Sequence, residues 1–171
     1  MKSAFHDEFA AIFDANFRRV YRYLDRLSGE PELAADLAQD TFVRLYQRGC
    51  APDTPEAWLI TVATNLLRNA QSQRARRAQL LTAARGAAVL SDPLPSPAQE
   101  LDAAESCQCV RRAIDTLPER ERSMLLLRAE GFSYRDIAAA LQINEGSVGT
   151  LLARAKRAFR DRYEGDADAS R

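Results

Sequence analysis

The sequence predicts an all-α protein made of two small helical domains joined by a flexible linker. Apolar side chains recur at three- and four-residue steps along most of the 171 residues, which is the spacing of a buried helix face. Glycine and proline occur only seven times each, and strong helix formers are abundant. The apolar pattern disappears where prolines cluster in the middle of the chain, so we expect a domain boundary there.

Three helices are predicted in the first domain, residues 5–78. The first helix ends at Gly29, and Pro31 suits the first turn of the second, which ends at Gly49. The third begins at Pro55, which follows a capping threonine and precedes an acid near the positive helix end. It continues into a group of arginines, so the first domain ends in a basic helix.

The linker covers residues 79–96, which are too polar and too often interrupted by proline to form a core. Ser96–Gln99 fits a capping box at the start of the second domain, which covers residues 97–163. Within this domain Pro118 separates two helices. Residues 164–171 form an acidic tail.

The second domain has the residue spacing of a helix-turn-helix. Ser133 caps a helix that runs to Leu141, and Asn144 caps the next, whose first apolar residue is Val148. The small Ala138 lets the two helices cross closely and leaves the first turn of the second helix facing outward, where it can read bases in the major groove. The alternative for this segment is a plain helical hairpin packed on a partner.

The candidate DNA contacts of this helix-turn-helix divide by chemistry. Phosphate contacts position a protein on DNA, whereas contacts to base edges specify the sequence. The base contacts are predicted at Glu145, Ser147, Thr150 and Arg154, and the phosphate contacts at Lys156, Arg157 and Arg160, with Arg135 of the preceding helix added to the DNA-binding set.

Charge is zero over the whole chain but is segregated by segment. No acidic residue occurs between Glu56 and Asp92, an interval that contains five arginines. Cationic side chains contact the phosphates along a strand, whereas amides and aromatic rings contact exposed bases. We therefore expect this helix to bind a separated DNA strand. The candidate strand-binding residues are Trp58, Asn65, Arg68, Arg74, Arg76 and Arg77. For Trp58 alone, a place in the core is an equally good interpretation.

The cysteines are not expected to form a metal site, and Cys107 and Cys109 are interpreted first as small residues of a helix. Cys50, Cys107 and Cys109 are an odd number, and the single histidine, His6, is far from them in sequence. We therefore expect no metal, no cofactor and no catalytic residue. No stretch is long and apolar enough for a signal peptide or a membrane span, so we expect a cytoplasmic protein without membrane insertion.

With these motifs in place, the chain resembles the extracytoplasmic-function (group IV) sigma factors of the sigma-70 family over about residues 5–163. The resemblance implies that the first domain is sigma region 2 and the second is sigma region 4. Four stretches carry it: Ala34–Tyr46 is similar to region 2.2, Trp58–Arg77 to regions 2.3 and 2.4, Leu117–Arg122 to the start of region 4, and Ser133–Phe159 to region 4.2.

The resemblance implies a non-enzymatic RNA polymerase subunit that directs promoter recognition and transcription initiation. Regions 2.3 and 2.4 would melt the −10 element, with Cys50–Glu56 as the loop that receives a flipped base, and region 4.2 would bind the −35 element. Asn65 and Arg68 match the family motif. Region 2.2 would bind the clamp helices of the polymerase β′ subunit through Asp36, Gln39, Asp40 and Arg44.

Two further partners follow from the resemblance. Region 4 would contact the β flap of the polymerase core. An anti-sigma factor is expected, because family members are commonly held inactive by one and the chain has no N-terminal extension that could inhibit it.

Three residues depart from the family pattern. Asn69 stands where an aspartate is usual, and Gly149 and Leu151 stand where a basic residue is common in the recognition helix. Fewer cations there predict weaker phosphate contacts and a lower salt sensitivity at the −35 element. We therefore expect this member to depend on its −10 domain or on an unusual −35 sequence.

Two other classes of function compete with a sigma factor. A dimeric helix-turn-helix regulator would bind duplex DNA without polymerase, but it leaves the first domain unexplained. A nuclease would use Asp36 and Asp40, which lie four residues apart on one helix, as metal ligands. No histidine or further carboxylate cluster supports that interpretation.

Overall fold

A computed structural model describes residues 2–85 and 101–169, with side chains described over 5–80 and 108–165. Within these ranges the chain forms helices and no strand, which confirms the all-α fold class. None of the described helices is long and apolar enough to cross a membrane. The helices are α1 (Lys2–Ser28), α2 (Pro31–Arg48), α3 (Pro55–Arg85), α4 (Leu101–Asp115), α5 (Glu119–Ala129), α6 (Tyr134–Leu141) and α7 (Glu145–Ala169).

Two glycines end the first two helices. Gly29 and Gly49 have φ of 72° and 76°, a left-handed conformation that a side chain disfavours. The Gly29 N–H donates to the Asp25 carbonyl at 2.8 Å, which closes α1. Only two residues join α1 to α2, so the chain reverses at once and the apolar stripes of the two helices pack together with α3.

The helix-turn-helix is fixed at both caps that the sequence predicts. The Ser133 hydroxyl accepts from the Asp136 N–H at 3.1 Å, and the Asp136 carboxylate accepts from the Ser133 N–H at 3.1 Å, which is a capping box. The Asn144 side-chain oxygen accepts from the Gly146 N–H at 2.8 Å and caps α7. Between α6 and α7, Gln142 is left-handed with φ of 54°. These contacts set the angle at which α7 leaves α6.

The third helix is longer than the sequence pattern predicts. It continues through Arg85, so residues 79–85 are helical where a linker was predicted at 79–96. The cause is local, since alanine, glutamine and leucine are strong helix formers even without a buried stripe. Residues 86–96 and the capping box predicted at Ser96–Gln99 lie outside the described residues.

The two helical units pack against each other. Helix α3 contacts α6, and α1 contacts α5, so the apolar core continues from one unit into the other. Tyr23 of α1 is fully buried at this junction, and its hydroxyl shares a hydrogen bond of 3.2 Å with the Thr64 hydroxyl of α3. Ser123 of α5 also hydrogen-bonds to the Tyr23 hydroxyl. One phenol therefore joins three helices from both units.

Burial of Tyr23 predicts that the folded protein loses stability at alkaline pH. Burial raises the pKa of this tyrosine above its ordinary value, because the charged phenolate loses its hydration. Tyr23 therefore contributes fully to the free energy of unfolding below about pH 10, which is the pKa of tyrosine in the unfolded chain. This contribution is lost as pH rises through the higher pKa of the folded state. Tyr23→Phe should cost about 1 kcal/mol at neutral pH through lost hydrogen bonding and should flatten this alkaline loss of stability. Urea unfolding measured across this pH range tests the prediction.

Tyr134→Phe is the matched control, because Tyr134 is 43% exposed on α6. This control should keep the wild-type alkaline profile. Identical profiles for the two variants would contradict the role assigned to Tyr23.

Candidate functional site

The outer face of α2 carries the four residues predicted to bind polymerase. Asp36, Gln39, Asp40 and Arg44 are all exposed and lie three or four residues apart, so they share one side of the helix. Val43 lies between them and is 42% exposed. Sequence reasoning missed Val43, although its place three residues after Asp40 puts it on the same side. These five residues are called the α2 outer face below.

The opposite side of α2 anchors it to α1. Phe42 is buried, with its ring centroid 5.0 Å from that of Phe13 in an edge-on contact and 5.6 Å from that of Phe17. Tyr46, 53% exposed, packs edge-on against Phe9 with a centroid separation of 5.3 Å. Aromatic contacts along the helix thus fix α2 against α1 and leave its outer face exposed to solvent.

One side of α3 gathers most of the residues predicted to bind a DNA strand. With 100° per residue, Trp58, Arg68 and Arg76 lie within about 60° of Asn65 around the helix. Asn65, Arg68 and Arg76 are exposed. Trp58 is partly buried and packs on the core, so it belongs both to the core and to this surface. These four residues are called the α3 strand face below.

Two of the predicted strand-binding arginines lie elsewhere. Arg74 is about 180° and Arg77 about 120° around the helix from Asn65. The Arg74 guanidinium pairs with the Glu30 carboxylate in front of α2. The structure therefore brings together four of the six residues predicted for this site. Sequence reasoning had counted arginines without separating the sides of the helix.

The segment between α2 and α3 lies next to the strand face. Cys50 and Asp53 are exposed in it, and the Trp58 N–H donates to the Thr54 carbonyl at 3.0 Å. The Arg48 guanidinium lies 6.0 Å from the Trp58 ring centroid. This segment, predicted to receive a flipped base, is thereby connected directly to the aromatic end of the strand face.

Helix α7 presents a polar side away from the core. Val148, Leu152 and Ala155 are buried, whereas Ser147, Arg154 and Arg157 lie within about 60° of Thr150 on the opposite side. All four residues on that side are exposed. Also exposed are Glu145 at the start of α7, Lys156 and Arg160 further along it, and Arg135 on α6. The structure therefore brings Ser147, Thr150, Arg154 and Arg157 to one side of α7, while Glu145 and Lys156 are exposed about 120–140° around the helix from Thr150.

Local contacts modify this surface. The Arg154 Nε lies 3.6 Å from a Glu121 carboxylate oxygen of α5, so part of the charge of this base-contacting candidate is compensated within the chain. Leu151 packs partly against the core, and a side chain at Gly149 would meet the Tyr134 ring at 3.6 Å. The positive charge of α7 therefore comes from Arg154 onward rather than from its first turn.

The described cysteines are free thiols, Cys50 exposed and Cys109 partly buried, while the Cys107 side chain lies outside the described residues. Over the side chains described in the two helical units, no cluster of three or more histidine, cysteine, aspartate or glutamate residues is arranged to hold a metal ion.

Family models match both units. The model of sigma-70 region 2 matches residues 12–77, and that of sigma-70 region 4 matches residues 107–159. Together they include the α2 outer face, the α3 strand face and the exposed side of α7 up to Phe159.

Relatives match along most of the chain. The ECF RNA polymerase sigma factor SigE of Mycolicibacterium smegmatis is 33% identical over 84% of this chain, and the chain spans 56% of that relative's length. EcfG of Rhodopseudomonas palustris is 32% identical over 77% of this chain, and the match covers 70% of the length of EcfG. SigL of Mycobacterium tuberculosis is 30% identical over 88% of this chain, and the match covers 85% of the length of SigL.

A solved structure has the same fold. It is the sigma factor RpoE in complex with the anti-sigma factor NepR from Bartonella quintana, with a TM-score of 0.62, 25% identity and coverage of 94% of this chain and 97% of that one. Matches to both region models, to relatives over most of their length and to this structure agree with one another. The chain belongs to the extracytoplasmic-function sigma factors of the sigma-70 family.

Proposed function

We propose that this chain is an RNA polymerase sigma factor that brings the core enzyme to promoters and stabilises separated DNA strands there. The observation that carries the proposal is the coexistence of three exposed faces, on α2, α3 and α7, in two units matched by the region 2 and region 4 models. A regulator that binds duplex DNA alone would require only the face on α7. A sigma factor would require all three faces, one for polymerase and two for promoter DNA.

The α2 outer face is the proposed contact to the β′ clamp helices. It combines carboxylates, an amide and a guanidinium around the exposed Val43, which is the mixture of polar rim and apolar centre that protein interfaces use. Its side chains stand on a helix fixed by the aromatic contacts to α1. Little ordering is therefore needed when polymerase binds, which favours affinity.

The α3 strand face is the proposed −10 contact. Extruding a base from a duplex costs about a few kcal/mol, which must come from new contacts. Stacking on an aromatic ring offsets about 1–3 kcal/mol per base, and arginines add phosphate contacts. Trp58, Asn65, Arg68 and Arg76 supply a ring, an amide and two cations along one side of α3. Separation of the DNA strands thereby becomes favourable at sequences whose bases fit the α3 strand face.

The exposed side of α7 is the proposed −35 contact. Ser147, Thr150 and Arg154 stand in its first turns, where a recognition helix approaches base edges in the major groove. Lys156 and Arg157 follow where phosphates would lie. Binding energy is the whole contribution of this chain, and the chemistry of RNA synthesis belongs to the polymerase core.

The proposed partners are the polymerase core, through β′ and the β flap, promoter DNA and an anti-sigma factor. The RpoE relative was solved with an anti-sigma factor, which supports such a partner here. The cytoplasm is the proposed place of action, because transcription takes place there.

Transcription in vitro tests the proposal. Purified protein is added to sigma-free bacterial core polymerase on templates that carry candidate −35 and −10 pairs from its own genome. Specific starts that disappear when either element is scrambled are expected. If the protein forms no stable complex with core polymerase and binds duplex DNA alone, the dimeric regulator replaces the sigma factor.

Removal of two carboxylates should separate polymerase binding from folding. Asp36→Ala with Asp40→Ala should weaken core affinity about tenfold, equivalent to about 1.4 kcal/mol, because an exposed charged contact is lost. Helix content and unfolding midpoint should stay unchanged, since both residues are exposed. Fluorescence anisotropy with labelled protein measures the affinity, and Asp14→Ala on α1 is the matched exposed control. Equal affinities for both variants would contradict the assignment.

The two neighbouring arginines of α3 should differ in strand binding. Arg76→Ala should lower affinity for a single-stranded −10 oligonucleotide several-fold and reduce the slope of log affinity against log salt by about 0.7, the value of one phosphate contact. Arg74→Ala removes the same charge from another side of the helix, where Glu30 pairs with it, and should leave the slope nearly unchanged. Titrations at several salt concentrations measure both slopes. Equal slope changes would contradict a one-sided strand face.

A further inference from the structure

The first turns of α7 carry a single basic residue on the side that faces solvent. Ser147 and Thr150 on that side are neutral, and no lysine or arginine occurs between Glu145 and Arg154. Leu151 packs partly against the core and adds no charge. A base contact through a cation in this part of the helix therefore depends on Arg154.

A carboxylate from a different helix faces this arginine. The Arg154 Nε lies 3.6 Å from an oxygen of Glu121, which belongs to the first turn of α5. That end of a helix carries partial positive charge and favours an acidic side chain. The Glu121 side chain is only 21% exposed, against 76% for Arg154. The acid is therefore mostly packed against the protein, whereas the guanidinium extends into solvent.

The atom that faces the carboxylate leaves the rest of the guanidinium available. Arginine donates from Nε and from two terminal nitrogens in one plane, and the terminal pair can bind O6 and N7 of a guanine edge together. Glu121 lies next to Nε, and within the described ranges neither Nη1 nor Nη2 of Arg154 has a hydrogen-bond partner. One arginine can thus contact the carboxylate and a guanine at the same time.

The ion pair also reduces attraction that carries no sequence information. An arginine without a partner contacts any phosphate, and such contacts position a protein on DNA without specifying a sequence. The Glu121 carboxylate offsets part of the charge of Arg154 and repels a phosphate beside it. The bidentate contact to guanine depends on direction as well as on charge, so the carboxylate weakens it less.

We propose that Glu121 is a positioning residue for −35 recognition, which directs the terminal nitrogens of Arg154 toward a guanine edge and lowers their attraction to phosphate. The inference rests on the proposed function, because it assigns a role within the contact of α7 to the −35 element. Glu121 contacts no base itself and acts only through Arg154. Its place on α5, outside the helix-turn-helix, separates it from the residues predicted to bind DNA.

Promoter binding by the holoenzyme tests the role of Glu121. Affinity is measured for two promoter fragments with the same −10 element, one with its −35 element intact and one with that element scrambled. Glu121→Gln should lower affinity for the intact promoter by up to about fivefold, the upper range for an exposed ion pair. Affinity for the scrambled promoter should stay the same or rise. The preference for the intact −35 element, which is the ratio of the two affinities, should therefore fall.

Glu119→Gln is the matched control. Glu119 also lies in the first turn of α5 and also faces an arginine, at 3.8 Å, but this arginine is Arg68 of α3. The same charge is removed two residues away from Glu121, and the preference for the intact −35 element should keep its wild-type value. An equal fall of the preference in both glutamate variants would overturn the role of Glu121.

Removal of Arg154 distinguishes positioning from a structural effect. In an Arg154→Ala background, Glu121→Gln should leave the preference unchanged, because the group on which it acts is gone. Arg154→Lys should behave in the same way, since a single ammonium group cannot form the bidentate contact. A further fall caused by Glu121→Gln in the Arg154→Ala background would overturn the proposal, as would a wild-type preference in Glu121→Gln alone. A wild-type holoenzyme that binds both promoters equally would instead contradict the proposed −35 contact itself.

Discussion

Helix α1 is the element on which the rest of the structure depends, because it packs against α2, α3 and α5 together. Val20, Leu24 and Leu27 bury their side chains in the core, while Tyr23 reaches hydroxyl partners on two of these neighbours. The arginines on another side of α1 hold Glu130. A single helix thus positions the α2 outer face, the α3 strand face and the helix-turn-helix relative to one another.

The helices that carry the candidate binding surfaces share one arrangement. One side is apolar and fixes the helix against its neighbours, and the opposite side is polar and faces solvent. In α2 the fixing contacts are aromatic, in α6 and α7 they are aided by caps, and in α3 the buried side also meets the second unit. Because one side of each helix is fixed, the affinity expected for each partner depends on the chemistry of the exposed side chains.

Much of this architecture could be predicted from local sequence signals. Periodicity located the helices, glycine and proline located their ends, and Ser133 and Asn144 predicted caps that the structure confirms. These signals act within a few residues, which is why they are visible in the sequence. The extension of α3 to Arg85 was missed because helix propensity there acts without an apolar stripe.

Contacts between distant segments could not be predicted in the same way. Glu130 and Arg22 are separated by 108 residues, and nothing in their own neighbourhoods indicates that they pair. Arg74 and Arg76 look equivalent in a basic run. Their positions around the helix separate them, but the pairing of Arg74 with Glu30 depends on how α2 and α3 pack. Val43 was overlooked because an apolar side chain is not expected on an exposed polar face, although its spacing from Asp40 places it there. Tertiary packing decides these cases.

A distance measurement between the two units tests the account most directly. Spin labels at Ala11 on α1 and Asp161 on α7, both exposed, would be placed in a chain whose three native cysteines are replaced by serine. Pulsed electron paramagnetic resonance would measure the distance between the two labels in the free protein. We expect one narrow, short distance, because α1 packs against α5 and α3 packs against α6. A broad distance distribution would contradict a core shared by the two helical units.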